Sequence, residues 1–208
     1  MEIIRGLVHR RLLPRFAQQY IWNREYATGQ WDSRSLHTPN DPIYAFLEKY
    51  CVDRDVVDIG SGHGNTITEM SPVYRSYTGV DISDAALRIA AQRAASSARE
   101  QVRFVQGFMH SYVPDSKPDV FLFRESLQYV SRNRKQARKE LCTFLSRYAD
   151  MLRANGVIIA RLCADGSDAQ RYAKTLEMIV REHFVLRECR WTQDPSALLI
   201  AFCPDVTR

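Results

Sequence analysis

Residues 56–66 read VVDIGSGHGNT, an apolar run that ends in an acid and is followed by three glycines at alternate positions, Gly60, Gly62 and Gly64. The apolar, β-branched run predicts a buried strand, and the glycines predict a tight loop directly after it. Glycine has no Cβ, so it adopts positive φ readily and lets a ligand come close to the backbone. We therefore expect a ligand-binding loop at the carboxyl end of the first strand.

Short apolar runs and longer helical stretches alternate from about residue 52 onward, which is typical of a parallel sheet wrapped by helices. The last two runs are joined only by the turn TQDPS, residues 192–196, and so short a link allows only antiparallel pairing. The sequence predicts an α/β, Rossmann-like fold. Its seven-stranded sheet is mostly parallel with one antiparallel strand near the C-terminus, helices cover both faces, and a helical extension precedes it.

The N-terminal part of the chain differs in composition from the rest. It is rich in aromatic residues and arginine, favours helix, and is interrupted at Pro14 and Gly29. We expect residues 1–40 to form a helical extension or lid, and residues 41–208 to form the main domain. The basic residues spread through the first sixteen positions do not resemble a secretory signal.

The composition limits the class of protein. The chain has 208 residues, 45% apolar and 25% charged, which are ordinary values for a globular protein. Its five cysteines are widely spaced without a C-x-x-C pair, so we expect no disulfide framework and no zinc site. No apolar stretch is long enough to span a membrane, and we expect a cytoplasmic protein. A net charge of +5 is compatible with an acidic substrate, but the arginines are scattered and predict a solvated surface.

A second signal is Asp81, which ends the predicted second strand in the stretch YTGVDIS. It follows the glycine loop by about twenty residues, the spacing at which an acid can hold the two hydroxyls of a ribose. The alternative is an ordinary tight turn with a helix-capping acid. The glycine spacing is G-x-G-x-G, with Asn65 where a dinucleotide loop has its third glycine, and Asp58 precedes the loop. An acid there suits a ligand that carries an ammonium group better than a pyrophosphate.

Five stretches together resemble successive motifs of the class I S-adenosylmethionine-dependent methyltransferases, of the small-molecule type. The stretches are VVDIGSGHGNT, YTGVDIS, FVQGFMHSY, PDVFLFRESLQYV and YADMLRANGVIIARL. The resemblance covers roughly residues 40–203 and implies S-adenosyl-L-methionine as the cofactor.

The resemblance also implies roles for individual residues. The methionine part of the cofactor would be lined by Asp58, Gly60, Ser61 and Gly62, with His63 beside it. Asp81 would hold the ribose hydroxyls, and Ile82 would pack against the adenine. The family commonly has a G-D pair after the third strand, but here Phe108 follows Gly107, so we expect the Met109 backbone to recognise the adenine and Phe108 or Met109 to pack on the ring. Arg124 and Trp22 complete the predicted cofactor contacts.

Two residues are predicted on the acceptor side. Glu125 follows the fourth strand and is a candidate general base or orienting group, although an acid in the first turn of a helix explains it equally well. His110 follows the third strand and could accept a proton near neutral pH, although the pattern favours a surface loop histidine. Glu125 and Asp165 are the candidate carboxylates for a divalent ion, but they form no tight acidic cluster, so we expect no metal.

The acceptor itself is only weakly specified by the sequence. The stretch after the fourth strand, RESLQYV, lacks the N-P-P-Y or D-P-P-Y motif of nucleobase amino methylation, and no dedicated acceptor domain is visible. We therefore expect a small-molecule acceptor and no nucleic acid, no stable membrane insertion, and a monomer or homodimer. O-methylation of a saccharide hydroxyl or a related metabolite is favoured. N-methylation of a small amine is the first alternative, and NAD-dependent oxidoreduction is a less favoured one.

A group of aromatic residues in the extension could close over the reacting groups. The side chains concerned are Tyr20, Trp22, Tyr26 and Trp31, and they could shield the sulfonium from water and contact it by cation–π interaction. Positions 22 and 26 also have helical spacing, so these rings could simply pack on the domain. The sequence leaves both readings open.

Overall fold

The computed structural model describes residues 13–32, 40–71, 73–97, 99–131 and 136–205. In chain order its elements are α1 (Arg15–Ala27), α2 (Ile43–Tyr50), β1 (Asp55–Ile59), α3 (Asn65–Glu69), β2 (Ser76–Asp81), α4 (Asp84–Ser96), β3 (Val102–Gln106), β4 (Val120–Arg124), a 3-10 turn (Leu127–Tyr129), α5 (Ala137–Asp150), β5 (Val157–Cys163), α6 (Ser167–His183), β6 (Phe184–Gln193) and β7 (Ser196–Pro204).

The seven strands form one sheet in the order β3-β2-β1-β4-β5-β7-β6. Parallel pairing joins β1 to β2, β2 to β3 and β4 to β5, whereas β7 runs antiparallel to both β5 and β6. The predicted fold class is therefore confirmed, with β7 as the reversed strand. The chain divides into two compact units, residues 1–112 and 113–208, which are described in turn.

The first unit contains β1, β2 and β3 in parallel register. Ile59 lies opposite Val80, and Asp81 lies opposite Gln106, so the carboxyl ends of the three strands meet at one edge. The strand residues of β1 from Val56 onward and those of β2 from Tyr77 onward are buried. This register places the loops after the three strands side by side, which is where ligands bind in sheets of this kind.

Two helices precede β1 in this unit. Helix α1 begins after Pro14 and ends at Ala27, so the predicted interruption at Pro14 is the helix start. Helix α2 begins after Pro42 and buries Ile43, Phe46 and Leu47, as its apolar pattern predicts. Residues 1–12 and 33–39 of the predicted extension lie outside the described residues.

The second unit is built on β4, β5 and the terminal hairpin. Phe121 and Phe123 of β4 pack edge-on against Tyr148 of α5, with ring centroids 4.8 and 5.0 Å apart. The hairpin of β6 and β7 carries a register shift between Leu186 and Glu188, a bulge of the kind common on edge strands. Helix α5 ends at Asp150, and Asn155, in the turn before β5, takes a positive φ of 65°.

Candidate functional site

The loop after β1 turns sharply because three of its residues have positive φ. Gly60, Gly62 and Gly64 have φ values of 80°, 53° and 77°. The N–H groups of Gly60 and Ser61 both donate to the Val80 carbonyl oxygen, at 2.8 and 3.1 Å. The first half of the loop is thereby held against the end of β2.

Two of these glycines also lie close against neighbouring helices. A Cβ on Gly62 would lie 2.8 Å from the Tyr26 hydroxyl oxygen, and a Cβ on Gly64 would lie 2.8 Å from the Ala90 Cβ. Real Cβ atoms essentially never come so close to another heavy atom. The glycines therefore allow the loop to lie directly between α1 and α4.

Asp81, at the end of β2, joins two of the loops. Its Oδ2 accepts a hydrogen bond from the Gly62 N–H at 2.9 Å, and its Oδ1 accepts one from the Ser83 N–H, also at 2.9 Å. The carboxyl group is buried, and this desolvation raises its pKa above the ordinary value, against the lowering effect of the backbone hydrogen bonds. A buried carboxylate of this kind has lone pairs left for further hydroxyl donors.

Asp58 has a partner that its position in the motif did not indicate. Its side chain is fully buried, and Oδ2 accepts a hydrogen bond from the Tyr77 hydroxyl at 2.6 Å. Tyr77 is itself fully buried in β2. The predicted contact of Asp58 with the cofactor stays a prediction, and any such contact would share the carboxylate with Tyr77.

Helix α1 lies across the loops that follow β1, β2 and β3. Tyr26 reaches Gly62 as described above, and its ring lies 5.4 Å from the His63 ring in an edge-on arrangement. Asn23 accepts a hydrogen bond at Oδ1 from the Ser83 hydroxyl at 2.8 Å. Arg15 stacks over the Phe108 ring, with its guanidinium carbon 4.5 Å from the centroid, and bonds the Ser111 hydroxyl. Helix α1 thus contacts these loops through residues that the sequence did not specify, and its role as a cover over the cofactor stays a prediction.

The predicted aromatic group of the extension is only partly assembled. The rings of Trp22 and Trp31 lie 5.5 Å apart, both rings lie about 6 Å from Tyr26, and the Trp31 indole N–H donates to Glu25. Tyr20, by contrast, is 67% exposed. The helical spacing of positions 22 and 26 therefore produces mutual ring packing, and the cofactor contact of Trp22 stays a prediction.

The loop after β3 contains residues that are predicted to contact the adenine of the cofactor. Phe108, Met109 and His110 are half-buried there, and the Phe108 and His110 rings lie 5.0 Å apart. The Gln106 side-chain amide donates to the carbonyl oxygen of Ile82 at 3.1 Å, so the loops after β2 and β3 are linked. This brings the two predicted adenine contacts, Ile82 and Phe108, to neighbouring loops.

Glu125 lies at the end of β4 in the second unit and has an unusual backbone for its residue type. Its φ is 55°, and both carboxylate oxygens are engaged by β5. Oε1 forms an ion pair with the buried Arg161, and Oε2 accepts from the Cys163 N–H at 3.0 Å. Arg124 precedes it, half-buried and opposite Arg161 in the register of β4 and β5. Glu125 therefore does not lie in the first turn of a helix, and its carboxylate is bound to β5 instead.

Asp165, the second carboxylate considered for a divalent ion, is exposed after β5. Within the described ranges, no group of three or more His, Cys, Asp and Glu side chains is placed to hold a metal ion. In that same part of the chain, no helix is both long enough and apolar enough to cross a membrane.

Sequence reasoning missed Arg93 of α4. Its guanidinium donates to the His63 carbonyl oxygen at 2.9 Å and to the side chains of Asn65 and Thr68, each at 3.1 Å. Partial burial lowers the pKa of this guanidinium from its ordinary value. Its position in an alanine-rich helix, thirty residues from the loop, gave no signal in the sequence.

Comparison with known proteins agrees with this architecture. Residues 56–156 match the family model described as a methyltransferase domain. An uncharacterized methyltransferase of Bacillus subtilis (strain 168), YcgJ, is 34% identical over 85 residues, which are 40% of this chain and 34% of that protein. The match thus spans about a third of the curated relative.

Solved structures share the fold at low identity. The N-methyltransferase NodS of Bradyrhizobium japonicum WM9, in complex with S-adenosyl-L-homocysteine, is 17% identical with a TM-score of 0.67, and the match covers 89% of this chain and 97% of that one. Magnesium protoporphyrin IX methyltransferase of Synechocystis PCC 6803, with bound S-adenosylmethionine, is 16% identical with a TM-score of 0.60, covering 79% and 77%.

The predicted methyltransferase is confirmed by the domain match, and the predicted cofactor agrees with the S-adenosylmethionine and S-adenosyl-L-homocysteine bound in these solved structures. The matched segment contains the glycine loop, Asp81 and the loop after β3. Residues 56–156 of this chain thus match the methyltransferase-domain family, and the fold is shared with solved methyltransferases that hold S-adenosylmethionine or S-adenosyl-L-homocysteine.

Proposed function

We propose that the chain transfers the methyl group of S-adenosylmethionine to a small-molecule acceptor. The observation that carries this proposal is the buried Asp81 carboxylate, held by the N–H groups of Gly62 and Ser83 at the carboxyl ends of β1 and β2. A carboxylate fixed in this way beside a glycine loop is suited to accept both hydroxyls of a ribose.

The residues of the loop fit the cofactor. The Ser61 hydroxyl oxygen is buried and has no hydrogen-bond partner within the described part of the chain, so a polar ligand group there would satisfy it. We propose that Ser61 and the loop glycines bind the amino-acid part, with Asp58 nearby for its ammonium group. Asp81 would bind the ribose, and Ile82, Phe108 and Met109 the adenine.

The chemistry needs little covalent help from the protein. When bound, S-adenosylmethionine supplies an electrophilic methyl group on a sulfonium. The chain's residues position the donor, and α1 excludes water from it through Tyr26 and Asn23. We propose Trp22 as a further cover, and residues 1–40 as a covering extension attached to a transferase domain of residues 41–208.

For the acceptor we propose a hydroxyl of a saccharide or a related metabolite. O-methylation requires removal of a proton, and His110 is proposed as the group that accepts it. Glu125 is proposed to orient the acceptor, since both its oxygens are already bound by β5 and a carboxylate held in one position is suited to receive a hydroxyl hydrogen bond. Arg124 is proposed to line the donor.

N-methylation of a small amine is the alternative acceptor chemistry. The NodS structure is that of an N-methyltransferase, but at 17% identity it shares the fold alone. The products differ in chemistry, since an O-methyl ether lacks the basic nitrogen of an N-methyl amine. A methyl-transfer screen with isotopically labelled donor, followed by mass spectrometry of the product, separates the two. The protein is further proposed to act in the cytoplasm as a monomer or homodimer.

The function is tested first by ligand binding. Purified protein is titrated with S-adenosylmethionine, S-adenosylhomocysteine and, separately, NADH, in a calorimeter and in thermal melts. Ligands that bind only the folded state raise its melting temperature. We expect stabilisation by the two adenosyl compounds and none by NADH. Stabilisation by the dinucleotide alone would overturn the proposed function.

A further inference from the structure

We propose that Arg93 is a positioning residue for the cofactor loop, with its guanidinium fixing the second half of the loop in its ligand-binding shape. This inference rests on the proposed function, because it assigns a role at the same site. Arg93 acts through the backbone of His63 and the side chain of Asn65.

The two halves of the loop are held by different elements. The first half is bound by β2, through the Val80 carbonyl oxygen and the Asp81 carboxylate. In the second half, the His63 carbonyl oxygen accepts from Arg93 at 2.9 Å. His63 is only 3% exposed, so its carbonyl oxygen needs a protein donor where water does not reach.

The second half of the loop has little stability of its own. Glycines at 62 and 64 with positive φ lose much conformational freedom when the loop becomes ordered. Helix α3, which follows, has only five residues, and a helix of that length does not hold itself together without tertiary contacts. The loop therefore needs hydrogen bonds from another element, and Arg93 donates them to both the loop and α3.

These hydrogen bonds depend on the planar, branched shape of the arginine guanidinium group. One terminal nitrogen of Arg93 reaches His63, and the other reaches Asn65 and Thr68, so a single planar fork spans the junction of the loop with α3. Lysine offers one ammonium group on a flexible stem and cannot span the same three acceptors in a fixed geometry. Arg93 also lies three residues after Ala90, so the two share the face of α4 on which Gly64 packs.

Asn65 has a specific part in this arrangement. It stands where a dinucleotide loop has its third glycine, which there brings the following helix close to the strand. Here the Asn65 side chain instead accepts a hydrogen bond from α4 through Arg93. This hydrogen bond to α4, rather than close packing of helix on strand, thus holds α3 in place after the loop.

The test compares four proteins: wild type, Arg93→Gln, Arg93→Lys and the control Arg99→Gln. Arg99 donates to the Thr68 carbonyl oxygen at 3.0 Å, so it contacts the same short helix α3 without contacting the loop. Each protein is titrated with S-adenosylhomocysteine by calorimetry. Hydrogen exchange of the amides at 62–64 is followed without ligand, and thermal melts give the stability.

We expect Arg93→Gln to bind S-adenosylhomocysteine about tenfold more weakly and to exchange the 62–64 amides faster, since buried loop groups lose their donor. Arg93→Lys is expected to lie between it and the wild type, and Arg99→Gln to bind like the wild type. If Arg93→Gln does not fold, Arg93→Lys decides the matter by the same two measurements. Wild-type affinity and exchange in the Arg93 variants, or an equal loss in Arg99→Gln, would overturn the inference. A wild-type protein that binds no S-adenosylhomocysteine would overturn the proposed function itself.

Discussion

The backbone N–H of Gly62 donates to Oδ2 of Asp81 at 2.9 Å, so the loop after β1 and the end of β2 are one hydrogen-bonded unit. The acid predicted to bind the ribose therefore also shapes the loop that is predicted to bind the methionine part. A change at Asp81 should affect both parts of the site together.

Asp81→Asn should weaken S-adenosylhomocysteine binding by about tenfold to a hundredfold. An amide has one acceptor oxygen, so it cannot serve both the Gly62 and Ser83 N–H groups and also receive the ribose hydroxyls. Calorimetry measures the loss. Asp55→Asn is the matched control, because Asp55 lies at the amino end of β1 in an ion pair with Arg75 and should leave the affinity unchanged. Equal affinities of wild type and Asp81→Asn would remove Asp81 from the site.

Acidification should weaken cofactor binding at a higher pH than an ordinary aspartate would allow. Burial raises the pKa of Asp81, and the protonated carboxyl accepts ribose hydroxyls less well than the ionised form. Affinity for S-adenosylhomocysteine should be full well above the raised pKa and fall as the pH drops through it. The raised pKa also means that ionised Asp81 reduces folding stability, an effect that is absent below the ordinary pKa and grows as pH rises through the raised one. Asp81→Asn should show neither dependence, and an identical pH profile in wild type and variant would contradict the assignment.

Gly62→Ala should lower both the melting temperature and the affinity for S-adenosylhomocysteine. A residue with a Cβ at a φ of 53° is strained by about 1–2 kcal/mol, and the new methyl group would also meet the Tyr26 hydroxyl. In the double variant with Tyr26→Phe, the steric part is relieved while the backbone strain persists. We expect the double variant to regain part of the lost stability. A double variant no more stable than Gly62→Ala would show that contact with the Tyr26 hydroxyl makes no contribution to the loss of stability.

Two substitutions of Glu125 measure the strain of its backbone separately from the function of its side chain. At a φ of 55°, Glu125→Gly should be more stable than Glu125→Ala by about 1 kcal/mol, since only glycine adopts this conformation without strain. Denaturant melts measure this difference, and equal stabilities would contradict it.

Glu125→Gln tests the proposed role with the acceptor. The amide loses the charge that Arg161 pairs with, so we expect lower turnover with unchanged affinity for S-adenosylhomocysteine. Labelled methyl transfer to the acceptor found in the screen measures turnover, and His110→Gln is tested in parallel. Unchanged turnover in either variant removes that residue from the acceptor side.

Asn23→Ala should loosen α1 from the site. It removes the acceptor for the Ser83 hydroxyl, a loss of about 1 kcal/mol, while Ser83 still accepts from the Ala86 N–H at the start of α4. Stopped-flow release of S-adenosylhomocysteine should become several-fold faster. Arg24→Ala changes the exposed neighbouring position on the same helix and should release the ligand at the wild-type rate. Equal rates for Asn23→Ala and the wild type would show that this contact does not retain the ligand.

Local patterns were sufficient to predict the sheet, the reversed strand, the glycine loop and the position of Asp81. Those features depend on apolar periodicity and on residues close together in the chain. The N-cap of α4 at Ser83, whose hydroxyl accepts from the Ala86 N–H, is a local interaction of the same kind.

The contacts that complete the site join distant parts of the chain. Tyr77 with Asp58, Asn23 with Ser83 and Arg93 with His63 are 19, 60 and 30 residues apart. Each depends on which way a helix or strand face turns after packing, and an arginine or tyrosine on a helix has no periodic signal for a specific distant partner. Helix α1 shows this most clearly, since its side chains suggested a cover but not which loops it would reach.

The simultaneous contact of α1 with the loops after β1, β2 and β3 has a kinetic consequence. In the proposed site the spent donor lies beneath α1, so we expect exchange of product for fresh donor to require release of the helix from all three loops. Methyl transfer in the first cycle should then be faster than in later cycles, and an initial burst equal to the enzyme concentration should precede the steady rate.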